Sequence, residues 1–225
     1  MVHVELQGFL NPTGAFNCTA MAWYLVLTYF SLLLCLLSCI YHFSRIIRFG
    51  KPEDFSKPSG DLKAAIIYSY TGAMSPTKKE SAYLHLPTYT AGIIYHIGTF
   101  LSIFLFILIL FNIPFPEIIK WGLSIFLFLS FLSGMGILLK RFFKKELKEL
   151  SNPDDYISNI LVTLFQLMTI IFLYNNTVFY YITTSILLLY LPLGKLKHTI
   201  YFFAARYHLA LFFGLRNVWP PKKIK

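Results

Sequence analysis

Two histidines lie inside apolar stretches that are long enough to form membrane-spanning helices. His96 is the one strongly polar side chain in residues 88–110, and His198 lies towards one end of the last apolar segment. An imidazole in hydrocarbon is costly unless it pairs, binds a metal or contacts water. If the two helices run antiparallel with both histidines at similar depth, the rings can bind one iron from opposite sides. This is how a b-type haem is held between helices, so we predict His96 and His198 as ligands of a haem iron.

The composition predicts an all-α membrane protein. Hydrophobic residues make up 56% of the 225 residues and charged residues only 13%, which excludes an ordinary soluble domain. We expect a single membrane domain over residues 1–215 and a basic tail over 216–225. Five apolar segments have the length needed to cross a bilayer, namely residues 21–43, 88–111, 118–139, 156–174 and 178–204.

The basic residues indicate how these five segments cross the membrane. All of the 20 lysines and arginines except Lys120 fall between the first and second segments, between the third and fourth, or at the carboxyl end. Positive charge is retained in the cytoplasm, so this distribution predicts an outer amino terminus and a cytoplasmic carboxyl terminus. It also explains the net charge of +10 without a nucleic-acid partner. We expect the chain to lie in the cytoplasmic (inner) membrane.

The predicted topology places the two histidines at similar depth. His96 is about 13 Å, and His198 about 9 Å, from the inner ends assigned to their helices, taking ~1.5 Å per residue. A break at Pro192–Gly194 precedes His198 and could orient the turn that follows it. The inner segment 44–87 is predicted to contain a short ordered element. The basic stretch KRFFKKELKEL should continue the third helix and bind either lipid headgroups or a protein.

Several strings resemble the membrane cytochrome b subunits of the respiratory nitrate reductase gamma family and the related cytochrome subunits of heterodisulfide reductase. They are GIIYHIGTF, KRFFKKEL followed by NPDDYISN, and PLGKLKH. Members of this family commonly hold two haems between their second and fifth helices. The resemblance implies that His96 and His198 match the ligand pair nearer the cytoplasm. The outer positions fall on Phe106 and Tyr180, and phenylalanine cannot ligate iron, so we expect one b haem.

A second pair of histidines offers a rival arrangement. His85 and His208 lie eleven and ten residues on the cytoplasmic side of His96 and His198, so antiparallel helices would bring them level too. Both are expected at or beyond the headgroups. They could bind a second haem, or they could be interfacial histidines near a haem propionate or a partner surface.

A haem in the inner leaflet would pass electrons between a membrane quinone and an iron–sulfur partner on the cytoplasmic face. The chain has no cysteine set for a cluster and no nucleotide fingerprint, so the partner must be another subunit. The resemblance implies a partner of the nitrate-reductase or heterodisulfide-reductase type. We expect Lys195, Lys197 or Arg206 to pair with haem propionates. Tyr95, Gln166 or Lys195 could bind the quinone.

Two other functions stay open from the sequence. The chain could be a haem-free membrane anchor whose histidines are packed and hydrogen-bonded. It could also be a transporter with a histidine proton relay, although the third and fourth segments contain almost no polar residues besides Gln166 and show no inverted repeat. If the chain is instead a haem-binding cytochrome, we expect it to be the quinone-reactive subunit of an oxidoreductase. Its lipid partner would be the surrounding membrane.

Overall fold

The described part of the chain is helical throughout. The computed structural model describes residues 22–49, 55, 57–75, 85–175 and 177–221, and it contains no strand within these ranges. Short 3₁₀ turns lie at Gly72–Met74 and Lys195–Lys197. The helices are α1 (Trp23–Phe49), α2 (Leu62–Tyr70), α3 (Leu86–Leu110), α4 (Glu117–Phe143), α5 (Lys145–Glu149), α6 (Pro153–Tyr174), α7 (Val178–Tyr190) and α8 (His198–Leu215).

Four helices, α1, α3, α4 and α6, are long and apolar enough to cross a membrane. Their outer faces carry many exposed leucine, isoleucine and phenylalanine side chains, as expected for a surface in contact with lipid. The chain is therefore a multi-pass helical membrane protein, which confirms the predicted class.

The fifth predicted span, residues 178–204, is not a single helix. Helix α7 ends at Tyr190 and α8 continues at an angle of 69°, so this pair is either one broken span or a re-entrant turn. Pro192 has no N–H to donate to a helical hydrogen bond, and the backbone N–H groups of Leu193 and Gly194 both turn back to the Tyr190 carbonyl. With 13 residues, α7 is about 20 Å long and is too short to cross the bilayer core alone.

The helices form a bundle that leaves one gap. Helix α1 packs on α7, α7 on α6, and α6 on both α4 and α3, while α3 also packs along α4. Helix α8 instead rests on α1 and α2. Helices α3 and α8 therefore make little or no direct contact with each other, although both border the same space.

The ordered element predicted in the inner segment is α2 with its 3₁₀ turn. Asp61 caps α2 by accepting hydrogen bonds from the N–H groups of Lys63 and Ala64. The hydroxyls of Ser69 and Tyr70 donate to backbone carbonyls of α8, at 2.8 and 2.6 Å. This element is thus bound to α8 of its own chain.

A buried polar network joins α3, α4 and α6. The Gln166 amide donates to the Tyr95 carbonyl (3.2 Å) and the Thr99 hydroxyl (2.9 Å), and its oxygen accepts from the Ser130 hydroxyl at 3.1 Å. Gly98 lies directly against Ser130, which lets the two helices approach closely. Small residues and interhelical hydrogen bonds are the usual means of association within a membrane, so we interpret this network as structural.

Charged residues gather at one end of the bundle, which we call the basic end. Asp155, at the start of α6, accepts hydrogen bonds from Arg141 at 3.1 Å and from Lys195. Helix α4 ends before Lys144, and α5 follows as a separate short helix, so the predicted continuous basic helix is interrupted. The first residues of the predicted basic tail also fold back, because the Trp219 ring lies against Tyr68 of α2.

Candidate cofactor site

One face of α3 carries the first predicted ligand. Tyr89, Gly92, His96 and Phe100 are spaced by three or four residues, so they form one stripe along the helix. This stripe borders the gap towards α8. The His96 side chain is exposed and makes no hydrogen bond to any described residue.

The second predicted ligand is the first residue of α8. The break after α7 and the 3₁₀ turn Lys195–Lys197 position it, and the His198 Nδ1 lies 2.6 Å from the Lys195 carbonyl oxygen. With the proton on Nδ1, this nitrogen donates to the carbonyl and leaves Nε2 free to bind a ligand. Histidines that bind metals are usually oriented by such a bond at their other ring nitrogen.

The two histidines line the same cavity, which we call the His96–His198 cavity. Its volume is about 710 Å³, within the range of about 300–1,000 Å³ that is usual for cofactor sites. Its walls are mainly apolar, and both imidazoles border it. The other lining residues are Met74, Thr88, Tyr89, Gly92, Ile93, Phe100, Thr199, Phe202 and Phe203.

A haem fits the chemistry of this cavity. Haem iron requires only axial ligands from the protein, and two imidazoles are present. Within the described ranges no group of three or more histidine, cysteine or acidic side chains could hold a metal ion without a porphyrin. A Cβ atom added at Gly92, one turn from His96, would meet nothing within 4 Å, so the face beside the imidazole is open to a flat ligand.

None of the three cations predicted to bind propionates lines this cavity. Lys195 pairs with Asp155, and the Arg206 guanidinium lies 5.8 Å from the centre of the Phe202 ring. Lys197 lies in the 3₁₀ turn before His198 and does not border the cavity either.

Two of the predicted quinone-binding side chains also face elsewhere. Gln166 is fully buried in the network described above. The Tyr95 hydroxyl bonds with the Thr163 hydroxyl at 3.0 Å and donates to the Asn159 carbonyl at 3.1 Å. Their polar atoms are therefore engaged within the bundle, and Lys195 pairs with Asp155.

The rival histidines do not share a cavity. His85 borders a separate charged cavity at the basic end. His208 lies on α8, and within the described part of the chain neither of its ring nitrogens has a hydrogen-bond partner, although both are buried. The structure therefore places His96 and His198 on one cavity, whereas His208 lines neither this cavity nor the charged one.

The positions of the outer haem ligands of the resembled family lie in the packed core. Phe106 is 3% exposed and Tyr180 is fully buried. The Tyr180 ring lies against Phe172 and Phe165, with ring centres 4.5 and 6.1 Å away. Buried aromatic side chains fill this level of the bundle.

Several residues of the cavity were not predicted from the sequence. Tyr89 and Gly92 could have been found, since they precede His96 by seven and four residues on the same helical face. Thr199 directly follows His198. Met74 carries no such signal, because the folding of α2 onto α8 brings it to the cavity.

A comparison with known proteins found no match. The chain matches no protein-family model, no curated protein and no solved structure. The resemblance to nitrate reductase gamma subunits thus stays a prediction, and a functional assignment depends on the residues of this chain.

Proposed function

We propose that this chain is a membrane cytochrome that binds one b-type haem between His96 and His198. The observation that carries the proposal is that two imidazoles from separate helices line one apolar cavity where those helices scarcely touch. An imidazole in a membrane span is costly without a partner, and His96 has none among the described side chains. A ligand that binds both rings would remove this cost.

The residues of the cavity have distinct roles in this proposal. His96 and His198 would hold the haem iron, and the Lys195 carbonyl orients the His198 imidazole. Phe100 and Phe202 supply apolar walls that exclude water. A bound haem would supply one-electron transfer, with its potential set by the two ligands and the surrounding dielectric.

The proposed electron route runs between a membrane quinone and a soluble iron–sulfur subunit. Thr88 lines both the His96–His198 cavity and the charged cavity, so the proposed haem site adjoins the basic end. The retention of positive charge in the cytoplasm makes this end cytoplasmic in our proposal and places the chain in the cytoplasmic membrane. A partner on that face would be near the haem, as the resemblance to the nitrate-reductase and heterodisulfide-reductase cytochromes implies.

The ligand pair can be tested by haem content. We expect His96→Ala and His198→Ala to abolish the reduced-minus-oxidised absorbance of the purified protein, because a six-coordinate b haem needs both imidazoles. His85→Ala and His208→Ala are matched controls and should keep one haem per chain. Haem content should be measured by extraction against protein concentration.

Two results would contradict the proposal. Full haem content in His198→Ala would exclude this ligand pair. A wild-type protein that takes up no haem when the cofactor is supplied during expression would instead favour a haem-free anchor. Reduction of the bound haem by added quinol would then test the electron donor separately.

A further inference from the structure

A second cavity lies at the basic end, apart from the proposed haem ligands. The end of α4, α5, the start of α6 and Lys195 enclose a volume of about 540 Å³, which we call the charged cavity. Its polar lining comes mainly from charged side chains. They are Lys140, Arg141, Lys144, Glu146, Asp155 and Lys195, with His85 and Thr88 on the α3 side.

Positive charge exceeds negative charge in this cavity. Four of the lining side chains are lysine or arginine, and only Glu146 and Asp155 are acidic. Both carboxylate oxygens of Asp155 are engaged, one by Arg141 and Lys195 and the other by the Asn152 N–H. The charged cavity therefore attracts an anion.

Two lysines are available to such an anion. Lys140 donates to the neutral Thr88 hydroxyl, and Lys144 has no ion-pair partner among the described residues. Ser151 and the half-buried Leu147 lie on the α5 side of the same space. An anionic group here would thus meet unneutralised ammonium groups.

An apolar groove begins where the charged cavity ends. It lies along the α3–α4 surface, has a volume of about 500 Å³ and is open to the side that faces lipid. The two spaces share Thr88, Ile137 and Lys140. The rest of the groove is built from small or apolar side chains of the two spans, among them Ala91, Leu132 and Gly136.

We propose that an anionic phospholipid binds here, with its phosphate in the charged cavity and one acyl chain in the apolar groove. Basic pockets between membrane helices bind such headgroups, and the continuity of charge with an apolar groove matches a phosphate joined to a hydrocarbon chain. A free phosphate would use only the first space. A neutral lipid would leave the excess positive charge uncompensated.

Lipid titration followed by native mass spectrometry tests this site. The full-length protein in neutral detergent is titrated with phosphatidylglycerol or with phosphatidylcholine, and the affinity for the first bound lipid is measured. We expect phosphatidylglycerol to bind more tightly. Lys144→Gln should weaken its binding about fivefold, as expected for one cation near a lipid phosphate, whereas Lys148→Gln, on α5 but outside the cavity, should change it by less than about twofold.

A second pair of variants tests the acyl-chain groove. A Cβ added at Gly136 or Gly122 on α4 meets nothing within 4 Å, so leucine should be accommodated at both positions. Only Gly136 lines the groove, so Gly136→Leu should weaken phosphatidylglycerol binding about fivefold or more and Gly122→Leu should not.

Three outcomes would overturn the proposal. These are equal affinities for the two lipids, equal effects of Lys144→Gln and Lys148→Gln, or unchanged binding in Gly136→Leu. Displacement of the lipid by millimolar inorganic phosphate would show that the site takes a free anion. These outcomes are independent of haem content, so they do not bear on the proposed cytochrome function.

Discussion

Filling the open face beside His96 should separate haem binding from protein stability. Gly92 lies one turn before His96 on the face that lines the His96–His198 cavity, and a Cβ there would meet nothing within 4 Å. Leucine at this position would therefore not disturb the packing of the bundle, but its side chain would enter the space proposed for the porphyrin. The substitution Gly92→Leu thus tests the cavity without removing a ligand.

The two expected effects have opposite signs. Replacing a helix-interior glycine by a good helix former stabilises a helix by about 0.5–1 kcal/mol, so the unfolding temperature of the haem-free protein should not fall. Forcing extra carbon atoms into an occupied site costs about 1–3 kcal/mol, which weakens haem binding on the order of 5- to 150-fold. Haem titration of the apoprotein and thermal unfolding in detergent measure the two effects.

Gly122→Leu is the matched control. It places the same side chain at another open glycine, on α4 and away from the cavity. It should leave haem affinity unchanged. If Gly92→Leu bound haem as tightly as the wild-type protein, the cofactor would not occupy this cavity, whatever the effect of the histidine variants.

Two further substitutions test the packing that holds the site. Gly98→Ala should lower the free energy of unfolding by about 1–3 kcal/mol, because its Cβ would overlap the Ser130 side chain. Gly136→Ala, at an open position, should not. Equal unfolding temperatures for the two variants would contradict the close α3–α4 contact. Asp155→Asn should lower the free energy of unfolding by about 1–2 kcal/mol. The value is modest because the partner Lys195 is 53% exposed. An unchanged unfolding temperature would show that these ion pairs do not stabilise the protein.

The membrane helices were predictable because apolar length is a direct consequence of bilayer thickness. Their ends were less so. The basic stretch KRFFKKELKEL was expected to continue the helix unbroken, but α4 ends at Phe143 and the separate helix α5 begins at Lys145. The bend at residues 191–197 was foreseeable at Pro192, but its angle of 69° was not, since α8 is held by its packing on α2.

The residues of the site also divide into those that were predictable from the sequence and those that were not. We predicted that His96 and His198 belong together from their similar depth, treating residues 178–204 as one span in spite of the break at Pro192–Gly194. The quinone assignment of Tyr95 illustrates what sequence position cannot show. Successive residues of a helix are rotated by about 100°, so Tyr95 faces Thr163 on α6 while the adjacent His96 faces the cavity. Side-chain direction depends on helix rotation, which hydropathy over a whole span leaves undetermined.

Among the described residues no lysine or arginine lines the His96–His198 cavity, but a positive charge lies next to it. Thr88 lines that cavity and accepts a hydrogen bond from Lys140, so positive charge lies immediately behind the polar part of the cavity wall. In our proposal, Lys140 is therefore a further candidate, beside Lys195, Lys197 and Arg206, to pair with cofactor carboxylates, and it also borders the space proposed for the lipid phosphate. Lys144 borders the charged cavity and not the His96–His198 cavity. Lipid binding is therefore best tested at Lys144, because a change there leaves the surroundings of the two histidines intact.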